Sequence, residues 1–178
     1  MIYAKMQFNA QPHLESDLVH IRPIANEDFD ELFEVASDPL IWQQHQNANR
    51  YLREEFILFF NDALGSKSAF AILDKNSKRL IGSSRFRMID ANKEVVEIGW
   101  SFLAKAFWGG VYNRDIKKLM VNYALKFCKL VVFYVNLKNL RSQSALEKLG
   151  ATKIDDFSKS WVLPAQKGVT FMIDSLIS

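Results

Sequence analysis

The chain has few of the residues and patterns that mark several large classes of protein. It contains one cysteine, Cys128, which excludes an internal disulfide and a multi-cysteine metal site. Cys128 lies on the apolar side of a predicted helix, which favours a buried, inert thiol. The longest unbroken apolar run, Leu130–Val135, is far shorter than the about 20 residues of a membrane-spanning helix. Residues 1–17 contain no continuous apolar core, so we expect no signal peptide, no membrane contact and a cytoplasmic protein.

An excess of charge of one sign is also lacking. The formal net charge is +3 and no run of five or more basic residues occurs, so the sequence does not argue for nucleic acid as a partner. No pattern of ligands indicates a metal site. Hydrophobic residues make up 49% of the chain, which is ordinary for a globular protein. The length fits a single domain over residues 1–178, with residues 1–17 as a loosely ordered extension.

Hydrophobic periodicity predicts an α/β protein with one sheet and helices on both of its faces. Asn26 is predicted to cap the first helix, which Asp38-Pro39 ends, and a second helix ends at Gly65. A third helix is predicted at 114–128, with Lys117 facing outward, and a fourth at 139–149. Strands are predicted at 19–24, 68–73, 80–88, 94–103, 130–135, 152–156 and 169–177.

The loop between the strand at 94–103 and the helix at 114–128 carries a specific signal. Exposed backbone N–H groups and the positive end of the helix dipole converge there, which makes a natural seat for phosphate. The loop therefore indicates a cofactor that contains a pyrophosphate. Its residues are Trp108, Gly109, Gly110, Val111, Tyr112, Asn113 and Arg114.

Three segments stand out in a fixed order along the chain. The first is the strand Val96-Glu97-Ile98-Gly99-Trp100, and the second, 107–114, contains the loop. The third, 139–150, is an Asn-x-x-Ser helix that ends Leu-Glu-Lys-Leu-Gly. Together they resemble the GNAT acyltransferase superfamily, in its ribosomal-protein N-acetyltransferase-like (RimJ/RimL-like) branch. The resemblance extends from about residue 20 to the end of the chain.

This resemblance implies a single-domain GNAT fold with a mixed, mostly antiparallel sheet of about seven strands and helices on both faces. It implies an N-acetyltransferase that uses acetyl-CoA as co-substrate, without a metal, and in which an amine attacks the thioester within one ternary complex. The acceptor would be a protein N-terminus or a small amine, and a homodimer is compatible with it. A non-catalytic CoA-binding or interaction module on the same fold is the alternative.

The resemblance also implies which residues bind the cofactor. They are the seven loop residues, Asn139 beside the pantetheine arm, and the backbone N–H groups of Trp100, Ser101 and Phe102, which would polarise the thioester carbonyl.

The loop departs from the commonest pattern of the family. Val111 stands where glycine is usual, and Asn113 where a small residue is usual. Val111 keeps its N–H, whereas Asn113 is expected to be the helix N-cap, where its side chain would compete with phosphate for the same N–H groups. Asp115 adds an unfavourable charge and Arg114 a favourable one. The pair Gly109-Gly110 supplies flexibility.

Glu97 is the candidate general base. It lies between apolar neighbours, and burial would raise its pKa toward useful values. The alternative is a structural carboxylate that pairs with Arg85 or Arg87. Many family members use a C-terminal tyrosine as the acid, but no tyrosine follows Tyr134. Ser142 is the remaining candidate, with a helix-face serine bonded to backbone as the alternative.

Trp42 and His45 are the candidate residues on the acceptor side. They lie in the polar join between the first two helices, a region that borders the amine pocket in this family. A solvated loop histidine is the alternative for His45.

Overall fold

The computed structural model describes residues 8–92, 94–162, 164 and 167–177. Its strands are β1 (Leu14–Glu15), β2 (Val19–Pro23), β3 (Ala69–Asp74), β4 (Leu80–Asp90), β5 (Val95–Leu103), β6 (Leu130–Val135), β7 (Thr152–Ile154) and β8 (Val169–Ile173). Its helices are α1 (Phe29–Ala36), α2 (Pro39–Trp42), α3 (Arg53–Gly65), α4 (Val111–Ala124) and α5 (Leu140–Lys148). Within those ranges no helix is long and apolar enough to cross a bilayer.

One sheet contains all eight of these strands, in the order β1-β2-β3-β4-β5-β6-β8-β7. Neighbouring strands are antiparallel except β5 and β6, which run parallel. This confirms the predicted mixed, mostly antiparallel sheet, with one strand more than expected. The additional strand is β1, whose two residues are too few to show a hydrophobic alternation.

The segment 8–17 is packed against the sheet. Leu14 pairs with Ile21 of β2, and the ring of Phe8 lies 5.3 Å from that of Phe86. The hydroxyl of Tyr123 donates to the carbonyl of Asn9 at 2.9 Å. Residues 1–7 lie outside the described part of the chain.

Helices cover both faces of the sheet, as predicted. On the α4 side, the core contains Ile116 and Met120 of α4. On the α3 side, Phe56 and Phe60 of α3 belong to a second core, which also contains Ala69 and Ala71 of β3. These small strand residues leave space for the rings above them, and burying each phenylalanine contributes about 1.5–3 kcal/mol.

Some boundaries differ from the prediction. Asn26 begins a 3₁₀ turn instead of capping a helix, and the carboxylate of Asp28 accepts the N–H of Ala25 at 2.8 Å. Asp38-Pro39 follows α1 but also begins α2, because proline fits the first helical position and Asp38 accepts the N–H two residues later at 2.9 Å. The predicted strand at 169–177 is shorter, since β8 ends at Ile173.

The parallel strands β5 and β6 pair over only part of their length. Residues 95–97 pair with 130–132, after which β6 continues beside β8 and β5 turns away. The divergence coincides with an irregularity at Trp100, whose φ is +52°. Beyond residue 97, alternate N–H groups of β5 therefore point toward a gap. We call this gap, between Ser101 and Phe133, the β5–β6 opening.

Candidate active site

The loop before α4 contains two glycines with different conformations. Gly109 has a φ of +70°, in the left-handed region that favours glycine, and Gly110 is extended. The helix begins at Val111, earlier than predicted, so Asn113 lies within its first turn. The prediction that Asn113 is the N-cap is therefore wrong. Because Gly110 occupies the cap position without a side chain, no cap covers the first N–H groups.

Aromatic side chains hold this loop in place. The hydroxyl of Tyr112 donates to Asp74 Oδ1 at 2.9 Å, and its ring lies 4.7 Å from that of Phe107. The indole N–H of Trp108 donates to the carbonyl of Leu103 at 2.9 Å. The backbone donors at the start of α4 are thus positioned before any ligand arrives.

The side chains of the other unusual residues do not cap the start of α4. The side chain of Val111 is 61% exposed, so it projects into solvent and does not fill the loop. The carboxylate of Asp115 accepts a hydrogen bond from the hydroxyl of Ser16, which directs its charge to a specific partner. Arg114 is exposed, where it can meet an anion.

Lys117 enters the β5–β6 opening, so the prediction that it faces outward is wrong. The residue is 8% exposed, and its Nζ donates to Ser101 Oγ at 2.5 Å. Ser101 Oγ is in turn 2.7 Å from Ser84 Oγ. Burial lowers the pKa of Lys117 to about 7, and the negative charge of Glu97 opposes that effect only in part. A lysine that loses its charge near neutrality thus lies between the two diverging strands.

Glu97 lies buried on β5 and pairs with Arg87. Its Oε2 accepts from Arg87 Nη2 at 2.6 Å and from Nε at 2.7 Å. Burial raises the pKa of Glu97, while Arg87 acts in the opposite direction. A Cβ at Gly99 would lie 2.7 Å from Glu97 Oε1, so a larger residue there would displace the end of the Glu97 side chain. The carboxylate is both paired, as one alternative expected, and perturbed in the direction that a general base needs.

Trp100 and Arg85 form an unusual pair next to Glu97. The Arg85 guanidinium lies 4.6 Å from the centre of the Trp100 ring, and Arg87 lies 5.1 Å from it. Arg85 pairs with Asp62 at 2.7 Å and not with Glu97. Its Nε and Nη2 have no hydrogen-bond partner among the described residues. Leaving such buried donors unpaired costs about 1–3 kcal/mol each.

Trp42 and His45 lie beside each other at the edge of the α3-side core. Trp42 is 1% exposed and its indole N–H donates to the Ala36 carbonyl at 2.7 Å. Its ring packs 5.1 Å from Phe102, which is also buried, so Phe102 can offer a ligand only its backbone. His45 is half-buried, and burial, with Arg50 and Arg141, lowers its pKa to about 4. It is thus a neutral, partly enclosed histidine.

The helix α5 begins as predicted with Asn139 at its N-cap. Asn139 Oδ1 accepts the N–H of Ser142 at 3.0 Å, and Ser142 itself is half-buried. The guanidinium of Arg141 lies 3.8 Å from the centre of the Trp108 ring, which joins α5 to the loop before α4.

The family of the chain follows from a comparison with known proteins. A sequence model of the acetyltransferase (GNAT) domain matches residues 19–152. The chain belongs to the GNAT acetyltransferase family. The prediction of an N-acetyltransferase is confirmed at this level.

Solved GNAT structures confirm the fold class. A GCN5-related N-acetyltransferase from Brucella melitensis aligns with a TM-score of 0.77 at 21% identity, over 97% of this chain and 80% of that chain. A structure described as a ribosomal-protein-serine acetyltransferase from Vibrio cholerae aligns with a TM-score of 0.70 at 12% identity, over 94% of this chain and 100% of that chain. A spermidine N-acetyltransferase from Vibrio cholerae, in complex with CoA and spermine, aligns with a TM-score of 0.67 at 14% identity, over 89% of this chain and 96% of that chain.

The geometry fits acetyl-CoA, the co-substrate of GNAT enzymes. The uncapped start of α4 offers N–H groups to a diphosphate, and β5 is not paired with β6 beyond residue 97. No cluster of three metal-ligating side chains occurs in the described part of this GNAT chain.

Sequence reasoning missed two buried cations of the GNAT site, Lys117 and Arg85. Lys117 lies four residues before the buried Val121, and residues four apart share one face of a helix. This spacing is the sequence signal that could have placed Lys117 at the edge of the apolar face of α4. Arg85 was named only as a possible partner of Glu97. No local signal indicates its partner Asp62, which comes from α3.

Proposed function

We propose that this protein is an acetyl-CoA-dependent N-acetyltransferase that acetylates a primary amine by direct attack within a ternary complex. The observation that carries this proposal is the uncapped N-terminus of α4 beside the β5–β6 opening, in a chain of the GNAT family. Acetyl-CoA, when bound, supplies an activated acetyl thioester.

The proposed cofactor contacts follow from the positions of the backbone donors. The N–H groups of Val111, Tyr112 and Asn113 in the first turn of α4 would bind the diphosphate, with Arg114 nearby. The remaining proposed contacts come from the glycine loop and from residues around the opening: Trp108, Gly109, Gly110 and Asn139. The backbone N–H groups of Trp100, Ser101 and Phe102 are the proposed donors to the thioester carbonyl.

Glu97 is proposed to take the proton that the attacking amine sheds. An α-amino group, with a pKa of about 7.8, is partly neutral at pH 7, whereas a lysine side chain at about 10.4 is almost fully charged. Because burial raises the pKa of Glu97, its carboxylate is a better base than an exposed one. Arg87 holds that carboxylate at 2.6 Å. Ser142 is the proposed proton donor to the departing sulfur.

We place the protein in the ribosomal-protein N-acetyltransferase-like branch on the three segments that carry that resemblance. The structural likeness to the Vibrio cholerae structure described as a ribosomal-protein-serine acetyltransferase is consistent with this proposal. The proposed acceptors are therefore a protein N-terminus or a small amine, with Trp42 and His45 near the acceptor pocket.

Thermal shift and thiol release test this function together. Acetyl-CoA should raise the Tm, and at least one amine from a broad panel should release free CoA thiol. If neither acetyl-CoA nor CoA stabilises the protein at millimolar concentration, the proposal fails. Stabilisation without thiol release from any amine would instead favour a non-catalytic CoA-binding module, for which the pairing of Glu97 with Arg87 is the supporting observation.

A further inference from the structure

Arg85 is a buried cation with only part of its hydrogen-bonding capacity used. Its side chain is 6% exposed, and Nη1 donates to Asp62 Oδ2 at 2.7 Å. Nε and Nη2 lack a hydrogen-bond partner in the part of the chain that the structure covers. These two nitrogens form one edge of the guanidinium, the edge that binds a carboxylate through two parallel hydrogen bonds. Asp62 engages a different nitrogen.

The position of Arg85 connects it to the proposed base. Arg85 lies opposite Gly99 on the neighbouring strand, and Arg87 lies opposite Glu97, so the two arginines follow one face of β4. Arg85, Arg87, Trp100 and Asp62 all line one cavity of about 970 Å³. Glu97 does not line this cavity, but its partner Arg87 does, so one side chain separates the cavity from the Glu97 carboxylate.

The surroundings of Arg85 contain charges of both signs: Arg87 and Glu94 line the same cavity, and Glu97 pairs with Arg87. Arg50, which is half-buried, stacks 4.6 Å from the ring centre of Phe59 and belongs to none of the ion pairs that the structure describes. Burial and then the charge of Arg85 lower the pKa of Arg50, which places the two cations near each other. Asp62, the carboxylate paired with Arg85, is 68% exposed and mostly solvated. Glu55 and then Asp62 act on the pKa of Arg50 in the opposite direction, so these carboxylates offset part of the positive charge.

We propose that the amine acceptor is a small amine with a carboxylate, which Arg85 binds through Nε and Nη2 while the amine faces Glu97. This inference rests on the proposed N-acetyltransferase function and specifies its acceptor. Both nitrogens are covered in the present arrangement, with the face of the Trp100 ring 4.6 Å away. Trp100 is half-buried and its ring stacks on Arg85, so a carboxylate reaches Nε and Nη2 only when this indole is displaced.

Matched acceptor pairs test this proposal. The proteinogenic amino acids are compared with their carboxamides and with the corresponding decarboxylated amines, with CoA thiol release as the readout. We expect a kcat/KM at least about tenfold higher for the best amino acid than for its carboxamide, because a buried donor pair is left unsatisfied by the analogue. In Arg85→Gln this preference should disappear, mainly through KM.

Two further variants keep the test decisive. Arg85→Lys retains the charge but cannot bind a carboxylate through two parallel hydrogen bonds. Its preference for the amino acid over the carboxamide should fall between those of wild type and Arg85→Gln. Arg85→Lys also replaces Arg85→Gln in the test if Arg85→Gln does not fold. Arg79→Gln is the matched control, since Arg79 pairs with Glu34 on the surface at 2.8 Å, and it should keep the full preference.

The outcomes separate this proposal from the proposed function. If carboxamides or polyamines are acetylated as well as the amino acids, the acceptor proposal is overturned and the N-acetyltransferase function stands. If CoA binds but no amine is acetylated, calorimetric titration of the CoA-loaded protein with the same amino acids decides. If an amino acid binds to wild type but not to Arg85→Gln, the carboxylate site is supported. If no amino acid binds to wild type, the carboxylate site is overturned.

Discussion

The two faces of β5 both bury charge, but they do so differently. On the α3 side the charges are paired, Glu97 with Arg87 at 2.6 Å and Arg85 with Asp62 at 2.7 Å. On the α4 side, Lys117 donates to the hydroxyl of Ser101 and not to a carboxylate.

This difference determines which groups remain charged near neutral pH. A carboxylate within hydrogen-bond distance offsets the desolvation of a cation, whereas a hydroxyl does so only weakly. Burial therefore lowers the pKa of Lys117 to about 7. The α4 side is therefore nearly neutral toward the proposed thioester, while the α3 side keeps fixed charges for the proposed proton transfer and the proposed carboxylate of the acceptor.

Removing Lys117 should give the largest effect, seen in stability against pH. The folded pKa of about 7 lies below the unfolded value, so the unfolded state binds more protons between these values and wild-type stability rises as pH increases. Each unit of difference between the folded and unfolded pKa values contributes about 1.4 kcal/mol to the free energy of unfolding, so the total gain with rising pH approaches about 4 kcal/mol. Urea unfolding of wild type and Lys117→Met at pH 7, 8.5 and 10 measures it.

The quantity to follow is the stability difference between wild type and Lys117→Met. We expect the free energy of unfolding of wild type, relative to that of the variant, to rise steadily from pH 7 to pH 10. A difference that stays constant with pH would show that Lys117 is charged in the folded protein, and the contrast between the two faces would disappear.

Replacing the carboxyl of Glu97 tests the chemistry of the α3 side. Glu97→Gln should lower kcat by about 100-fold, because a positioned base contributes roughly 10²–10⁴. The stabilisation by acetyl-CoA should persist, since the proposed diphosphate contacts lie at the start of α4 and not at Glu97. Glu27→Gln, at an exposed position, is the matched control. An unchanged kcat in Glu97→Gln would leave Glu97 as a purely structural partner of Arg87.

Val111→Pro removes one backbone N–H from the start of α4 without breaking the helix. Proline is tolerated at the first helical position, and the extended conformation of Gly110 suits the residue before a proline. Acetyl-CoA should bind about tenfold more weakly, since a hydrogen bond to a charged group contributes about 1.5–3 kcal/mol. Val111→Ala keeps the N–H and should bind as wild type does. Equal affinity in the two variants, measured by calorimetry, would exclude this N–H from the cofactor site.

Asn139 gives the smallest expected effect. Asn139→Ala removes the cap of α5 and should cost about 1 kcal/mol, a decrease in Tm of about 2–4 °C. Asn139→Asp keeps an acceptor for the N–H of Ser142, so it should retain stability. If Asn139→Asp nevertheless weakens acetyl-CoA binding, the amide contacts the cofactor beyond its capping role. If both variants bind normally, Asn139 is a cap alone.

Local patterns in the sequence were enough for much of the fold. The apolar alternation of 94–103 and the continuous apolar run of 130–135 predicted β5 and β6, and Asn139 predicted the start of α5. These features depend on neighbouring residues, so a short window contains the signal.

Features that depend on distant residues were not predictable in this way. Asn113 has the chemistry of an N-cap, but α4 begins earlier, at the end of the two-glycine loop. Lys117 is polar and was assigned to solvent, yet the divergence of β5 from β6 creates the space that it enters. The partner of Arg85 lies on α3, 23 positions away along the chain.

The most direct test of the account is the amide spectrum of the protein titrated with acetyl-CoA. The ¹H–¹⁵N signals of Val111, Tyr112 and Asn113 should move downfield as their N–H groups meet the diphosphate, and 4′-phosphopantetheine, which lacks the diphosphate, should move them much less. If acetyl-CoA binds while these three signals stay in place, the diphosphate is held elsewhere and the account is contradicted.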